Sequence, residues 1–325
     1  MKTRTAIIAI TLLTACIGAN AQEAAKQKGG KPIVEIFTNF HSGFGSVNDD
    51  RGFELGRSYL GYEYRTGKGV TIKGVLDVGQ SNDVSDYEHI AYIKNAMVGW
   101  NGGCFTINGG LIGTIQFSCQ EKFWGYRYIY KSFQDQYGFG SSADLGISAS
   151  WDITKWIGVD AIIANGEGYR HIQSNDGLLY GAGATITPFK GMSFRFYAGI
   201  NEGGEECSNT INYAMFAGYE NRYLSAGIEY NIVRNYKRVR GENLYGFSMY
   251  ASGRMNSWLD IYARADGLMS NDDWNKQNDE IVILAGAQFK LGKYVKIAPN
   301  VRMTIPAADG ASNRYYAYLS CCFGI

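Results

Sequence analysis

The sequence predicts an all-β fold, a transmembrane antiparallel β-barrel of about 16 strands with long loops at one rim and short turns at the other. Three observations predict it. Apolar and polar residues alternate with period 2 in segment after segment. The connections between those segments alternate strictly between short and long. Aromatic residues collect at the short-turn ends.

The alternation is clearest in residues 257–267. There Leu259, Ile261, Ala263 and Ala265 form one face, and Asp260, Tyr262, Arg264 and Asp266 form the other. Residues 294–305 repeat it, with Val295, Ile297, Val301 and Met303 against Lys296, Asn300, Arg302 and Thr304. Residues 69–79 and 191–201 read the same way. A side-chain period of 2 is the mark of a strand that meets two different environments. The same criterion places strands at 32–44, 52–65, 69–79, 88–100, 104–116, 141–152, 156–165, 177–188, 191–201, 210–220, 222–234, 243–253, 257–267, 280–291, 294–305 and 314–325. In 88–100 the pattern is broken, because Lys94 falls on the apolar-looking face.

Short turns lie near Thr66-Gly67-Lys68, Asn101-Gly102-Gly103, Ile153-Thr154-Lys155, Lys190, Glu220-Asn221, Met255-Asn256 and Gly292-Lys293. Gly and Asn supply the positive φ of tight hairpins. Between them stand long loops at 45–51, 80–87, 117–140, 166–176, 202–209, 235–242, 268–279 and 306–313. A soluble sandwich has no reason to sort its loops by length, whereas a membrane barrel does. Tyr64, Trp100, Trp151, Trp156, Phe189, Tyr219, Tyr223, Trp258 and Tyr294 sit at the short-turn ends, where amphipathic rings suit a headgroup layer. The last strand carries Tyr315, Ala317, Leu319, Cys321 and Phe323 on one face, which suits closure against the first strand.

The composition agrees. The chain has 24 Tyr, 16 Phe, 6 Trp and 42 Gly beside 4 Pro, a mixture that favours strands over disorder. No run of 18 apolar residues follows the N-terminal region, so no spanning helix is expected. Mean hydropathy of −0.20 suits a barrel in which only alternate residues meet lipid. The formal charge of +1 does not suggest a nucleic-acid partner.

The first residues read as an export signal. Lys2 and Arg4 give a basic start, residues 6–18 an apolar stretch, and Ala19-Asn20-Ala21 a small-x-small cleavage site. Residues 1–21 are thus a cleaved signal peptide, 22–31 a short lead, and 32–325 a single barrel domain. Leu13-Thr14-Ala15-Cys16 also resembles a lipoprotein box with Cys16 acylated, the competing reading of this segment. The remaining cysteines, at 104, 119, 207, 321 and 322, are odd in number and irregular in spacing. That is not a disulfide framework, although a Cys119–Cys207 bridge between loops is conceivable. No metal or cofactor motif appears. The acidic loop 268–279 lacks the glycine and spacing of a calcium loop.

With these features the chain resembles the Gram-negative outer-membrane porins, in particular the phosphate-selective porin-like superfamily. Phe53-Glu54-Leu55-Gly56-Arg57-Ser58-Tyr59-Leu60-Gly61 is similar to that group's second-strand pattern. Gln120-Glu121-Lys122-Phe123-Trp124-Gly125-Tyr126-Arg127-Tyr128 lies where such porins carry a loop that folds into the pore. The resemblance implies a 16-stranded barrel in the cell outer membrane, usually a homotrimer, with lipid and lipopolysaccharide around it and small hydrophilic solutes passing through. It also implies arginine and lysine ladders in the phosphate-selective members, and here the chain departs from it.

The polar strand faces present Arg57, Lys73, Arg195, Arg264, Lys290, Lys296 and Arg302 together with Glu63, Asp77, Asp144, Asp160, Glu229, Asp260 and Asp266. The signs balance, so a lumen lined by all of them should discriminate weakly by charge. Loop 117–140 is the candidate constriction and carries Glu121, Lys122, Arg127, Lys131 and Asp135 among many aromatics. Those rings make sense packed on the barrel wall rather than in water. Passive diffusion of small solutes or ions is therefore the expected function. A structural or adhesive barrel is the alternative. A barrel enzyme is a further one, but it needs a nucleophile and a base. Only His41, His89 and His171 are available, no Gly-x-Ser-x-Gly elbow occurs, and no enzyme activity is expected.

Overall fold

The computed structural model describes residues 28–45, 50–81, 85–204 and 207–325. The signal segment, Cys16 and residues 22–27 lie outside them. Sixteen strands follow in order: β1 (Lys28–Phe44), β2 (Arg51–Thr66), β3 (Val70–Ser81), β4 (Ser85–Asn101), β5 (Phe105–Gly113), β6 (Ala143–Asp152), β7 (Ile157–Ala164), β8 (Leu179–Ile186), β9 (Met192–Asn201), β10 (Thr210–Glu220), β11 (Leu224–Arg234), β12 (Leu244–Arg254), β13 (Leu259–Ser270), β14 (Glu280–Leu291), β15 (Val295–Pro306) and β16 (Arg314–Gly324). Each pairs antiparallel with its chain neighbours, and β1 pairs with β16, so the sheet closes. The seam runs from Glu35↔Gly324 to Phe44↔Tyr315. Closure leaves no strand edge unpaired, which lipid demands of any spanning structure.

The boundaries differ from the sequence expectation in two informative places. β5 stops at Gly113, short of residue 116, and β6 starts at Ala143. Here the chain leaves the ladder and pairs across the neck of the loop, Thr114 N–H donating to the Ser142 carbonyl at 3.2 Å. The long loop expected at 80–87 is mostly strand, since β3 runs to Ser81 and β4 begins at Ser85. The other connections keep the long–short alternation.

Period 2 becomes inside and outside. Leu60, Ile72, Val98, Ile147, Ile163, Ile228, Ile283, Val301 and Leu319 are exposed on the outer wall. Trp100, Trp156, Phe189, Tyr223, Trp258 and Tyr294 are exposed near the short-turn rim. Trp258 stacks on Phe289 with ring centres 5.9 Å apart. Cys321 and Cys322, adjacent in β16, face opposite ways, Cys322 being buried. Cys119 and Cys207 form no bridge.

Two of the register shifts among the described strands bear on the lumen. Between β1 and β2, Phe37 pairs with Arg57 but Thr38 pairs with Leu55, leaving Gly56 as the extra residue. Between β3 and β4, Val75 pairs with Asn95 but Leu76 pairs with Ile93, leaving Lys94 extra. A bulge flips the phase of the strand beyond it. Outward residues of β4 are Ala91 and Ile93 on one side of Lys94 and Ala96, Val98 and Trp100 on the other. That flip is why Lys94 reads as apolar-facing in the sequence.

The outer wall is apolar where Val301, 54% exposed, sits at the middle of β15. Val301→Arg should cost about 2–4 kcal/mol of folding stability in a lipid bilayer, read by urea titration in vesicles. Lys296→Arg in the same strand should be neutral within error.

Candidate functional site

The segment between β5 and β6 fills much of the barrel. It holds two short helices, α1 (Ser118–Trp124) and α2 (Phe133–Gln136). α1 ends at Gly125 in the left-handed conformation, φ 69°, which turns the chain along the inner wall. Trp124 and Phe133 are buried, and Tyr126, Tyr128, Ile129 and Tyr130 join Phe37, Tyr59, Phe216, Tyr250 and Tyr262 of the wall in one apolar cluster. Two strand glycines make room. A Cβ at Gly246 would stand 2.0 Å from the Phe133 ring, and one at Gly218 2.8 Å from Phe123. Glycine inside a strand marks such close approach.

A loop inside a barrel carries carbonyls that need donors. Three wall arginines supply them. Arg195 donates to the Ile115 carbonyl at 2.7 Å, Arg264 to Lys131 at 2.8 Å, and Arg302 to Ile129 at 3.1 Å. Each is held in turn by the wall. Arg195 pairs with Asp160 at 2.7 Å. Arg264 forms a two-pronged pair with Asp266 at 2.8 and 2.7 Å and lies against the rings of Trp124 and Tyr130. Arg302 is sandwiched between Tyr130 and Tyr318, 4.3 Å from each ring centre. Tyr250 and Ser225 hydroxyls donate to the carbonyls of Gln120 and Phe123.

This arrangement sorts the candidate pore-lining residues into groups. Arg195, Arg264, Asp266 and Glu229 point inward from the wall but lie buried beneath the loop as its seat. Glu229 accepts from Asn231 at 3.0 Å. Asp144 caps backbone N–H groups of Leu145 and Gly166 at 2.8 Å. Asp260 and Lys290 pair at 2.7 Å near the short-turn rim, where Gln288 joins them. Lys296 lies nearby on β15. Arg57, Lys73, Asp77 and Arg302 stand beside open space or its immediate wall.

Open space lies on both sides of a narrow waist. Toward the long loops, one cavity of about 550 Å³ is bounded by Arg57, Lys131, Asp135, Asp144, Tyr169 and Arg238. A second, of about 400 Å³, shares Arg57 and Lys131 and adds Arg127 and Arg302. Toward the short turns, a cavity of about 490 Å³ is lined by Glu63, Lys73, Met97 and Asn108. Strand register locates the waist between them. On β2 Tyr59 stands between Arg57 above and Glu63 below, and on β3 Val75 stands between Asp77 and Lys73. On β4 the bulge residue Lys94 stands between Tyr92 and Met97.

The waist is rich in charge. Arg57 pairs with Asp77 at 2.6 Å, and Tyr169 O–H donates to the same carboxylate at 2.6 Å. Arg127, from the loop, pairs with Glu121 at 3.0 Å and Asp135 at 2.6 Å, and donates to the Tyr59 hydroxyl. Lys94 Nζ donates to Ser142 Oγ at 2.7 Å and lies over the rings of Tyr59 and Tyr169. Lys122 is exposed on α1. Burial disfavours the charged forms of Asp135 and Lys131, but with opposite outcomes. At Asp135 burial is opposed by the Arg127 guanidinium together with Lys131 and Lys94, which between them hold the carboxyl below its ordinary value. At Lys131 burial outweighs the attraction of Asp135, so the ammonium falls below the usual lysine value.

Lys94, Tyr59, Tyr169 and Ser142 are not among the residues singled out from the sequence. Only the broken phase around Lys94 signals that something is placed there. Elsewhere, loop 268–279 satisfies itself, with Asn275 donating to Asp279 and Asp279 accepting from the Ser270 backbone.

No family model and no curated protein matches the sequence. The fold does match solved structures. OmpF of Salmonella typhi, in a daunomycin complex, superimposes with a TM-score of 0.70 at 10% identity, covering 92% of this chain and 98% of that one. Pseudomonas putida OprB gives 0.69 at 12% identity, covering 91% and 94%. An anion-selective porin from Comamonas acidovorans gives 0.68 at 12%, covering 92% and 100%. The chain thus has the fold of the outer-membrane porins.

Arg264→Met should leave Asp266 buried without its partner and cost about 3–5 kcal/mol. The double variant Arg264→Met, Asp266→Leu should recover most of that loss. Denaturant midpoints of the folded barrel check both.

Proposed function

We propose that this protein is a porin of the Gram-negative outer membrane, passing small hydrophilic solutes by passive diffusion. The observation that carries the reading is the pair of polar cavities on either side of a waist, inside a closed barrel whose outer wall is apolar. A barrel of about 16 strands is wide enough for an aqueous channel when its interior is not filled. The loop between β5 and β6 narrows that channel without adding a separate plug domain. Loops that constrict a pore make transport depend on solute size and on the charges at the narrowing.

The remaining features fit this reading. Residues 1–21 serve as the export signal, and the short turns face the periplasm. The barrel assembles as a homotrimer in lipid and lipopolysaccharide; one of the similar structures is a trimer form of Vibrio cholerae OmpT.

Purified protein in a planar bilayer should show discrete, ohmic single-channel steps. Silence at all voltages, with the barrel folded, would remove the porin reading. Lys131→Cys should bind a charged methanethiosulfonate reagent and lose conductance, whereas the native protein keeps its own. An unmodified current in that variant would take the loop out of the constriction.

A further inference from the structure

The lumen as a whole balances its charges, but the waist does not. Arg57, Arg127 and Lys131 line one cavity there, with Asp77, Glu121 and Asp135 as partners of the two arginines, and the half-buried Lys94 stands beside them against Ser142 and Tyr169, which line the adjoining cavity. All three carboxylates belong to the arginines: Asp77 to Arg57, and both Glu121 and Asp135 to Arg127. Among the described residues, neither Lys94 nor Lys131 forms an ion pair. The partners of Lys94 are neutral, a serine hydroxyl at 2.7 Å and two tyrosine rings at 5.3 and 4.7 Å. They seat the ammonium without cancelling its charge.

We infer that the waist favours small, singly charged anions, and that Lys94 is the residue that sets this preference. The inference rests on the porin reading and adds to it. Its geometry comes from the backbone. In a regular strand the residue after Ile93 would alternate inward and Asn95 would face lipid. The bulge instead turns both Lys94 and Asn95 inward at the level of Val75, where the loop comes closest to β2 through Arg127 and Tyr59. Bulges re-aim side chains in this way. The second bulge, at Gly56, brings Arg57 into the same region from β2.

The chemistry of the free charges sets the class of ligand. A guanidinium clamps a tetrahedral oxyanion with two parallel N–H bonds. Here the guanidiniums of Arg57 and Arg127 already hold carboxylates, and that of Arg302, which lines the same cavity, is taken up by the Ile129 carbonyl and two tyrosine rings. What remains is ammonium, a compact point charge with no fork. Such a charge draws in chloride or a short carboxylate and releases it readily. It does not build a tight site for a doubly charged phosphate. One uncompensated charge at a narrow point is also enough to bias a pore, since it acts where solvent screening is least.

The test uses the full-length protein in planar bilayers under a KCl gradient. The chloride-to-potassium permeability ratio should exceed one. Lys94→Gln should lower the chloride permeability itself by roughly fivefold, the factor that one unit charge at about 4 Å gives in water, and the ratio by at least as much. Lys94→Arg should keep the preference, and Lys73→Gln, in the cavity below, should change it little. A ratio that Lys94→Gln leaves unchanged would overturn the assignment of Lys94. If that variant forms no channels, the native ratio decides, and a value of one or less overturns the inference. Block of chloride current by low millimolar phosphate would overturn the choice of small anions. Absence of any channel in the native protein would instead count against the porin reading itself.

Discussion

The interior of this barrel depends on three arginines of its wall giving hydrogen bonds to carbonyls of one loop. Arg195, Arg264 and Arg302 come from β9, β13 and β15, and so grip the loop from well-separated strands. A carbonyl buried without a donor costs on the order of 1–3 kcal/mol. A buried guanidinium without an acceptor costs more. Each contact removes both costs together. The aromatic rings then fill the space between loop and wall, and the lumen is left open chiefly where the loop does not reach.

This explains why a balanced list of inward charges misdescribes the pore. Arg264 and Asp266 neutralise each other beneath the loop and are 3% and 0% exposed. Glu229 is covered beside them. These residues hold the loop against the wall, and their fields reach the open cavities only weakly. Among the charges that border open space above the waist are Arg57, Lys131, Asp135 and Arg302, and Lys94 stands beside them behind Ser142 and Tyr169. Setting the covered residues aside changes which charges border the open cavities.

The sequence makes the sheet legible because period 2 survives in nearly every strand. An apolar outer wall and polar groups inside leave each side chain no choice of face. The candidate loop is legible too, through its length and its rings. Which wall residues it covers is not, because alternation reports the face of a residue and not what lies on top of it. Gly218 and Gly246 are the nearest to a signal, since each leaves space for a ring of the loop. The bulges are hidden for a related reason. An extra residue shifts the pattern by one, and a pattern shifted by one looks like a poor strand rather than a strand with a purpose. Lys94 is lost to the reading of the sequence on that account alone.

The seam between β1 and β16 joins the two ends of the chain. Every other pairing in the sheet is between neighbours in sequence, so hairpins can form one after another as the polypeptide arrives. The seam cannot. It brings together the most distant segments of the molecule, where the entropic cost of loop closure is greatest. Until it forms, both terminal strands offer bare amides to any other chain. Closing this sheet therefore depends on β16, and a chain lacking that strand would be a template for aggregation rather than a smaller barrel.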